Sequence, residues 1–230
     1  VSRIRIATYN VHSGVGIDRR FRPERILAVI AELEADIVAM QEVLSPVTGF
    51  DVHERLRDET GFHLATMATM QLAGGTFGNA VLSRWPIVDV VEHSLSVGER
   101  EPRGALDVML DRDGHKLRVI ATHLGLSGAE RREQAARLLD IVQNGPDIPT
   151  VLAGDFNVTS ARGKELRECR QHFGHSHAPR TFPSIAPVLP LDRIFVTPCS
   201  ALSAIEVHRS RRARIASDHL PLVATLDLPD

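Results

Sequence analysis

The sequence predicts an α/β protein made of two mixed β-sheets packed together with helices outside, and three observations carry that expectation. Short apolar runs with strand periodicity outnumber amphipathic helical stretches. Several of these runs are joined by hairpin-length connections, which a purely parallel, doubly wound sheet would not have. The same runs end repeatedly in short polar side chains, a pattern of strand ends gathered for chemistry. At 230 residues, 43% hydrophobic and with no long polar linker, the chain is expected to form one domain over residues 1–230.

Taken in order, Ile4, Ile6 and Thr8 alternate with Arg5, Ala7 and Tyr9 in a strand that ends at Asn10, with Asn10 and His12 in the turn that follows. Gly14–Asp18 is loop. Pro23 opens a helix whose Ile26, Leu27, Ile30 and Leu33 form one apolar stripe. Ile37–Met40 is a strand ending at Gln41-Glu42. A modest helix over 51–60 is stopped by Gly61, and 63–70 reads as a strand. Gly74, Gly75 and Gly78 suggest a tight connection into the strand 79–83. Pro86 interrupts the ladder, and 87–95 continues the sheet before a polar loop over 96–102.

The clearest local signal is a hairpin, 105–110 against 117–121, turned by Asp113-Gly114. Its second arm ends in Thr122-His123-Leu124. Ser127 and Glu130 form a capping box for a helix whose inner face is Ala135, Leu138, Leu139 and Val142. The stretch 151–156 is a buried strand, and its period of two sends Asp155 and Asn157 toward the same side where the chain leaves the sheet. A helix over 163–172 and an irregular segment with His175, His177 and Thr181 precede the strand 191–196, which carries Asp192 near its start. The run 201–207 leads into Arg209, Arg211, Arg212 and Arg214, and Ser217-Asp218-His219 precedes the last strand, 220–228.

Composition narrows the function classes. A formal charge of -2 provides no global field toward nucleic acid or an anionic membrane, although a local basic cleft stays open. Cys169 and Cys199 lack metal-like spacing and are expected as reduced thiols. No apolar run is long enough to span a bilayer, and a cytoplasmic location is expected. The strand-end set of Asn10, Glu42, His123, Asp155, Asn157, Asp192, Asp218 and His219 is rich in oxygen donors. Such donors suit a hard cation like Mg2+, for which one or two carboxylates suffice, better than zinc. Magnesium beside His and Asp points to phosphoryl chemistry.

The ordered motifs Thr8-Tyr9-Asn10-Val11-His12, Gln41-Glu42-Val43, Thr122-His123-Leu124, Gly154-Asp155-Phe156-Asn157, Leu191-Asp192-Arg193-Ile194 and Ser217-Asp218-His219-Leu220-Pro221-Leu222 resemble the endonuclease/exonuclease/phosphatase superfamily over almost the whole chain. The resemblance implies a four-layered α/β sandwich, DNase I-like, with its active site at one end of the two sheets. It implies Glu42 as the main Mg2+ ligand, with Asn10 and Asp218 nearby and Mn2+ able to substitute. It further implies Asp155 as the residue that orients or activates water, Asn157 as a holder of phosphate or nucleophile, and His219 as a phosphate contact whose tautomer Asp192 fixes. His123 matches the histidine of the nuclease, sphingomyelinase and phosphatase branches.

The expected activity is hydrolysis of a phosphodiester in a small molecule or lipid head group, of the kind found in compact bacterial members. The expectation assigns no protein partner. A DNase-like or abasic-site endonuclease is disfavoured because the chain has few aromatics for base stacking and a single tyrosine, Tyr9. The motifs also admit an inositol-phosphate phosphatase, or a noncatalytic phosphate-binding or scaffold protein. Arg103 and Arg209 are candidate substrate contacts, each weighed against an ordinary surface arginine. Met67, Met70 and Leu72 are read as core ahead of an apolar lip, and His175 and His177 as plain loop.

Overall fold

The computed structural model describes residues 2–46, 52–72, 74–174 and 178–228. His175, His177 and Asp51 lie outside these residues. Eleven strands occupy Ser2–Asn10 (β1), Ile37–Pro46 (β2), His63–Leu72 (β3), Gly75–Ser83 (β4), Ile87–Ser94 (β5), Gly104–Arg112 (β6), His115–His123 (β7), Thr150–Asp155 (β8), Asp192–Thr197 (β9), Leu202–Val207 (β10) and Leu222–Leu228 (β11). The α-helices are Glu24–Leu33 (α1), Val52–Thr60 (α2), Gly128–Gln143 (α3), Arg167–Phe173 (α4) and Ala213–Ala216 (α5).

The strands form a six-stranded sheet in the order β10-β11-β1-β2-β4-β3 and a five-stranded sheet in the order β5-β6-β7-β8-β9. Both sheets are mixed. In each, one parallel pair, β1 with β2 or β7 with β8, is set among antiparallel neighbours. A parallel pair needs a crossover, and α1 and α3 supply it. Alternation then assigns the faces. Ile4 and Ile6 of β1, Val119 and Ala121 of β7, Val151 and Ala153 of β8, and Ile194 and Val196 of β9 all enter one core between the sheets. Ala7, Tyr9, Val38 and Met40 pack outward on α1, and Ile120, Leu152 and Phe195 outward on α3 and α4. The result is the four-layered, DNase I-like sandwich, helix on sheet on sheet on helix.

Several local expectations need correction. The strand 87–95 does not continue the first sheet. After Trp85-Pro86 it crosses to pair with β6 as the edge of the second. β2 does not stop at Gln41-Glu42 but runs on to Pro46 through a bulge in which Gln41 and Glu42 together oppose the single residue Asn79. Gly75 and Gly78 lie within β4 and not in its connection. Met67 is buried in the inter-sheet core, as expected, whereas Leu72 is 42% exposed. The helix expected over 163–172 is a short 3-10 turn, Lys164–Leu166, followed by α4. Both cysteines are free, Cys169 buried and Cys199 exposed.

Candidate active site

The rows of inward-facing residues determine which side chains meet. Continuing Ile4, Ile6 and Thr8 by two residues gives Asn10; continuing Val119 and Ala121 gives His123; continuing Val151 and Ala153 gives Asp155. On β9 the same face, read back from Val196 and Ile194, begins at Asp192. His123, Asp155 and Asp192 sit side by side across three adjacent strands, His123 opposite Asp155 and Asp155 opposite Asp192. The apolar core thus ends in a polar cap at one edge of the sandwich. Gly154 lets the strands close here, since a Cβ on it would lie 1.9 Å from the Thr122 carbonyl oxygen.

Asn10 joins the two sheets. Its Nδ2 donates to Glu42 Oε1 at 2.9 Å and to Asp155 Oδ2 at 3.1 Å, while its Oδ1 accepts the backbone N–H of His12. Glu42 reaches this position only because of the bulge. Val38, Met40 and Val43 all face the helix layer, and the extra residue, with Glu42 at φ +56°, turns the carboxylate the other way. His12, Ser13 and Asn157 share that left-handed backbone region, so four strained positions cluster around the cap.

Asp192 Oδ2 accepts from His219 Nδ1–H at 2.9 Å and from Thr181 Oγ1 at 2.5 Å, and the other face of the imidazole rests on Phe182. The Nε2 of His219 points back to Asp155 Oδ2, 3.6 Å away. Burial pulls the His219 pKa down, but Asp192, with Asp155 and Asp218 behind it, outweighs burial and pushes it up to about 10. His219 is therefore an imidazolium at neutral pH. His123 takes the opposite state, because burial lowers it to about 4 against the pull of Asp155, with Arg103 and His219 adding to the decrease.

The sequence left Arg103 between a substrate contact and an ordinary surface arginine, and burial removes the second reading. Its Nη1 lies 3.2 Å from His123 Nδ1 and 2.9 Å from Glu101. A guanidinium has no acceptor, so this contact calls for Nδ1 to accept, whereas the Asn157 amide N–H, 3.1 Å from Nε2, calls for Nε2 to accept; neutral His123 has one lone pair for the two donors. Nε2 lies 3.6 Å from Asp155 Oδ2 and 3.9 Å from Glu42 Oε1. Asn157 closes the group. β8 ends before it, and its left-handed backbone brings the amide to Leu124 O at 2.8 Å and beside His123 Nε2. Asp218 is half-buried, 3.7 Å from His12 Nδ1. Arg209 is exposed, and among the described residues it makes no hydrogen bond or ion pair with the cluster.

Several supporting residues carried little signal in the sequence. Ser217 Oγ donates to the Asn10 carbonyl and accepts from His219 N–H, tying the β11 approach to β1. Arg193, almost fully buried, donates to the carbonyls of Pro190, Asp192, Val158 and Ser160 and so fastens the loop after β8 to the start of β9. An arginine directly after a strand-end Asp was the available clue.

Four carboxylates, Glu42, Asp155, Asp192 and Asp218, share this cap. Among the described residues none of them pairs with a lysine or arginine. Burial raises the Glu42 pKa, and the nearby Asp155 and Asp218 add to the rise while Asn10 and His12 oppose it. Such an oxygen-rich set, offset by the single His219 imidazolium, fits a divalent cation. Asp155, Asp192 and His219 each present one ligand atom within 4.8 Å of the others and could hold one. There, however, His219 is an imidazolium, and a cation would have to displace its Nε2 proton.

A family model for the endonuclease/exonuclease/phosphatase family matches residues 7–219. The chain belongs to this family. The uncharacterized protein YbhP of Escherichia coli strain K12 is 34% identical over 246 residues, covering 97% of this chain and 96% of its own. An endonuclease/exonuclease/phosphatase from Beutenbergia cavernae is 26% identical with a TM-score of 0.76, covering 99% of this chain and 72% of its own. One from Bacteroides vulgatus superposes over the full length of both chains with a TM-score of 0.81 at 22% identity. The polar cap lies within the matched span, Asn10 near its start and His219 at its end.

Proposed function

We propose that the protein is a divalent-metal-dependent phosphoric ester hydrolase whose substrate is a small-molecule or phospholipid phosphodiester. The observation that carries the reading is the Asn10 amide bridging Glu42 of one sheet to Asp155 of the other, with an imidazolium, His219, and a neutral imidazole, His123, both facing Asp155. Glu42, Asn10 and Asp218 would hold the cation. A bound Mg2+, or Mn2+ in its place, would polarise a phosphate oxygen and offset its charge.

The chain's own groups divide the remaining work. Asp155, anchored by Asn10 and by the Asn157 backbone N–H, orients water and takes its proton as the new P–O bond forms and the bond to the departing alcohol breaks. His219, kept charged by Asp192, donates to a nonbridging oxygen as negative charge builds there. In the tautomer that Arg103 favours, His123 presents its Nε2–H to a second oxygen or to the leaving group, and the Asn157 amide limits where the phosphate can sit. Removing the Asp192 carboxylate should therefore cost more than the hydrogen bond it makes.

A nuclease is less well supported. Tyr9 is fully buried on the helix side of β1, and Trp85 packs near the opposite end of the sandwich beside the β6–β7 turn, so neither offers a base a stacking platform. The test is hydrolysis by the purified protein across glycerophosphodiesters, phospholipids, supercoiled DNA, abasic duplex and inositol polyphosphates, each with Mg2+ and with chelator. Chelator-sensitive cleavage of the diesters is expected. Selective cleavage of DNA or of inositol monoesters would replace the substrate assignment, and phosphate binding without turnover would favour a noncatalytic role.

A further inference from the structure

The loops that frame the polar cap end in apolar side chains. Ile17 and Phe21 project from the loop after β1, with exposures of 37% and 46%; Ile185 and Val188, at 59% and 56%, come from the loop before β9; Leu126, at 72%, follows β7. These are joined structurally and not merely by sequence. Ile17 N–H donates to the Ile215 carbonyl, the Arg214 guanidinium to the Ile185 carbonyl, and Ser184 N–H to the carbonyl of Asp218 itself. Across the cap, Leu126 lies two residues beyond Leu124, whose carbonyl holds Asn157. Exposed apolar tips on several loops around one acidic pit are not the scattered surface hydrophobics of an ordinary monomer.

The charge around these tips identifies what covers them. Arg19, Arg20 and Arg22 flank Phe21; of the nearby acids, Asp18 is paired with Arg25 and Glu24 with Arg22, which leaves Arg19 and Arg20 as the uncompensated cations. Arg19 and Arg20 are exposed and make no ion pair among the described residues. Arg209, Arg211, Arg212 and Arg214 stand near Ile215 in a segment without acids; Arg212 pairs with Glu32 of α1 and Arg214 holds the Ile185 carbonyl, while Arg209 and Arg211 are exposed. Basic side chains around exposed apolar tips match an anionic bilayer, where the tips enter the acyl boundary and the arginines meet head-group phosphates. We infer that this rim docks on an anionic membrane surface and aims the polar cap at the phosphodiester of a lipid head group. The inference deepens the hydrolase proposal and rests on it for the lipid as substrate, but the docking can be read without turnover.

The probe is flotation of the purified protein with vesicles of phosphatidylglycerol or of phosphatidylcholine, beside hydrolysis of a soluble short-chain diester. The protein should float with phosphatidylglycerol vesicles, less with phosphatidylcholine, and come off as salt is raised. Ile185→Ser with Val188→Ser should weaken partitioning at least about tenfold through lost apolar burial. Arg19→Gln with Arg20→Gln should weaken it about 25-fold, at roughly fivefold per arginine. Both double variants should keep wild-type turnover on the soluble diester.

Wild-type protein that cleaves the soluble diester but stays unbound overturns the docking and leaves the hydrolase. Protein that floats through this rim yet cleaves no ester supports the docking and overturns the hydrolase. Unchanged flotation of the apolar variant, or a solution dimer that the same substitutions dissolve, also overturns the docking, the latter in favour of a second copy as occupant.

Discussion

Asp192→Asn isolates the electrostatic part of the site. The side chain keeps its size and an oxygen that can accept from Thr181, so the 2.9 Å contact with His219 can persist in a neutral form. What disappears is the largest influence holding His219 charged. A rise from 6.5 to about 10 corresponds to about 5 kcal/mol in favour of the imidazolium at 1.36 kcal/mol per pH unit, shared among Asp192, Asp155 and Asp218. Without Asp192, only Asp155 and Asp218 oppose burial, and the His219 pKa should fall. Loss of a charged donor aimed at a developing oxyanion should lower kcat about 100-fold to 1,000-fold.

The sign for stability follows from linkage. A folded-state pKa raised above the unfolded value stabilises the native state fully below about 6.5, and the gain is lost as pH rises through about 10. Wild type should therefore lose stability on the alkaline side and Asp192→Asn should lose less. The assays are kcat against pH on a soluble diester and thermal unfolding against pH. The variant should regain part of its activity as pH falls. Wild-type kcat with an unchanged alkaline limb would refute the reasoning.

Three other substitutions probe different parts of the site. Glu42→Gln should weaken Mn2+ binding at least about tenfold by calorimetry. The metal-free variant should melt no lower than wild type, because Glu42 is a buried acid whose pKa is raised; a clear loss of stability would mean that the carboxylate is structural. Arg103→Gln should reduce kcat about tenfold with little change in KM if the guanidinium acts through His123, whereas a raised KM with kcat intact would mean that it binds substrate directly. Gly154→Ala should destabilise by about 3 kcal/mol, seen as a melting point lower by roughly 6 to 12 °C, since its Cβ would meet a backbone oxygen. An unchanged melting curve would mean that β7 and β8 can separate at no cost.

Much of the site was legible because it obeys a period of two. Ile4, Ile6, Thr8 and Asn10 form one row in the sequence and one row in the fold, and Val151, Ala153 and Asp155 repeat it on the other sheet. What the pattern hid is what breaks it. The bulge that aims Glu42 depends on how β2 pairs with β4, a distant partner, and alternation alone would have put Glu42 with Met40 on the helix side. Asn157 likewise reaches the site through a left-handed backbone and not through a continued strand. The burial of Arg103 is hidden for a similar reason, since it depends on packing against His123 that no local motif announces. The transfer of Ile87–Ser94 to the second sheet is a question of topology, and Pro86 marks the break without saying where the chain goes.

On the proposed reading, side chains from two sheets form one metal-dependent hydrolytic centre around Asp155. The most direct measurement is the rate of soluble phosphodiester hydrolysis by wild type and by Asp155→Ala, each with Mg2+ and with chelator, after both are shown to unfold with similar melting curves. The account predicts turnover that needs the metal and falls at least about 100-fold in the variant. Equal rates in the two proteins, or no hydrolysis by wild type with Mg2+ or Mn2+, would contradict it.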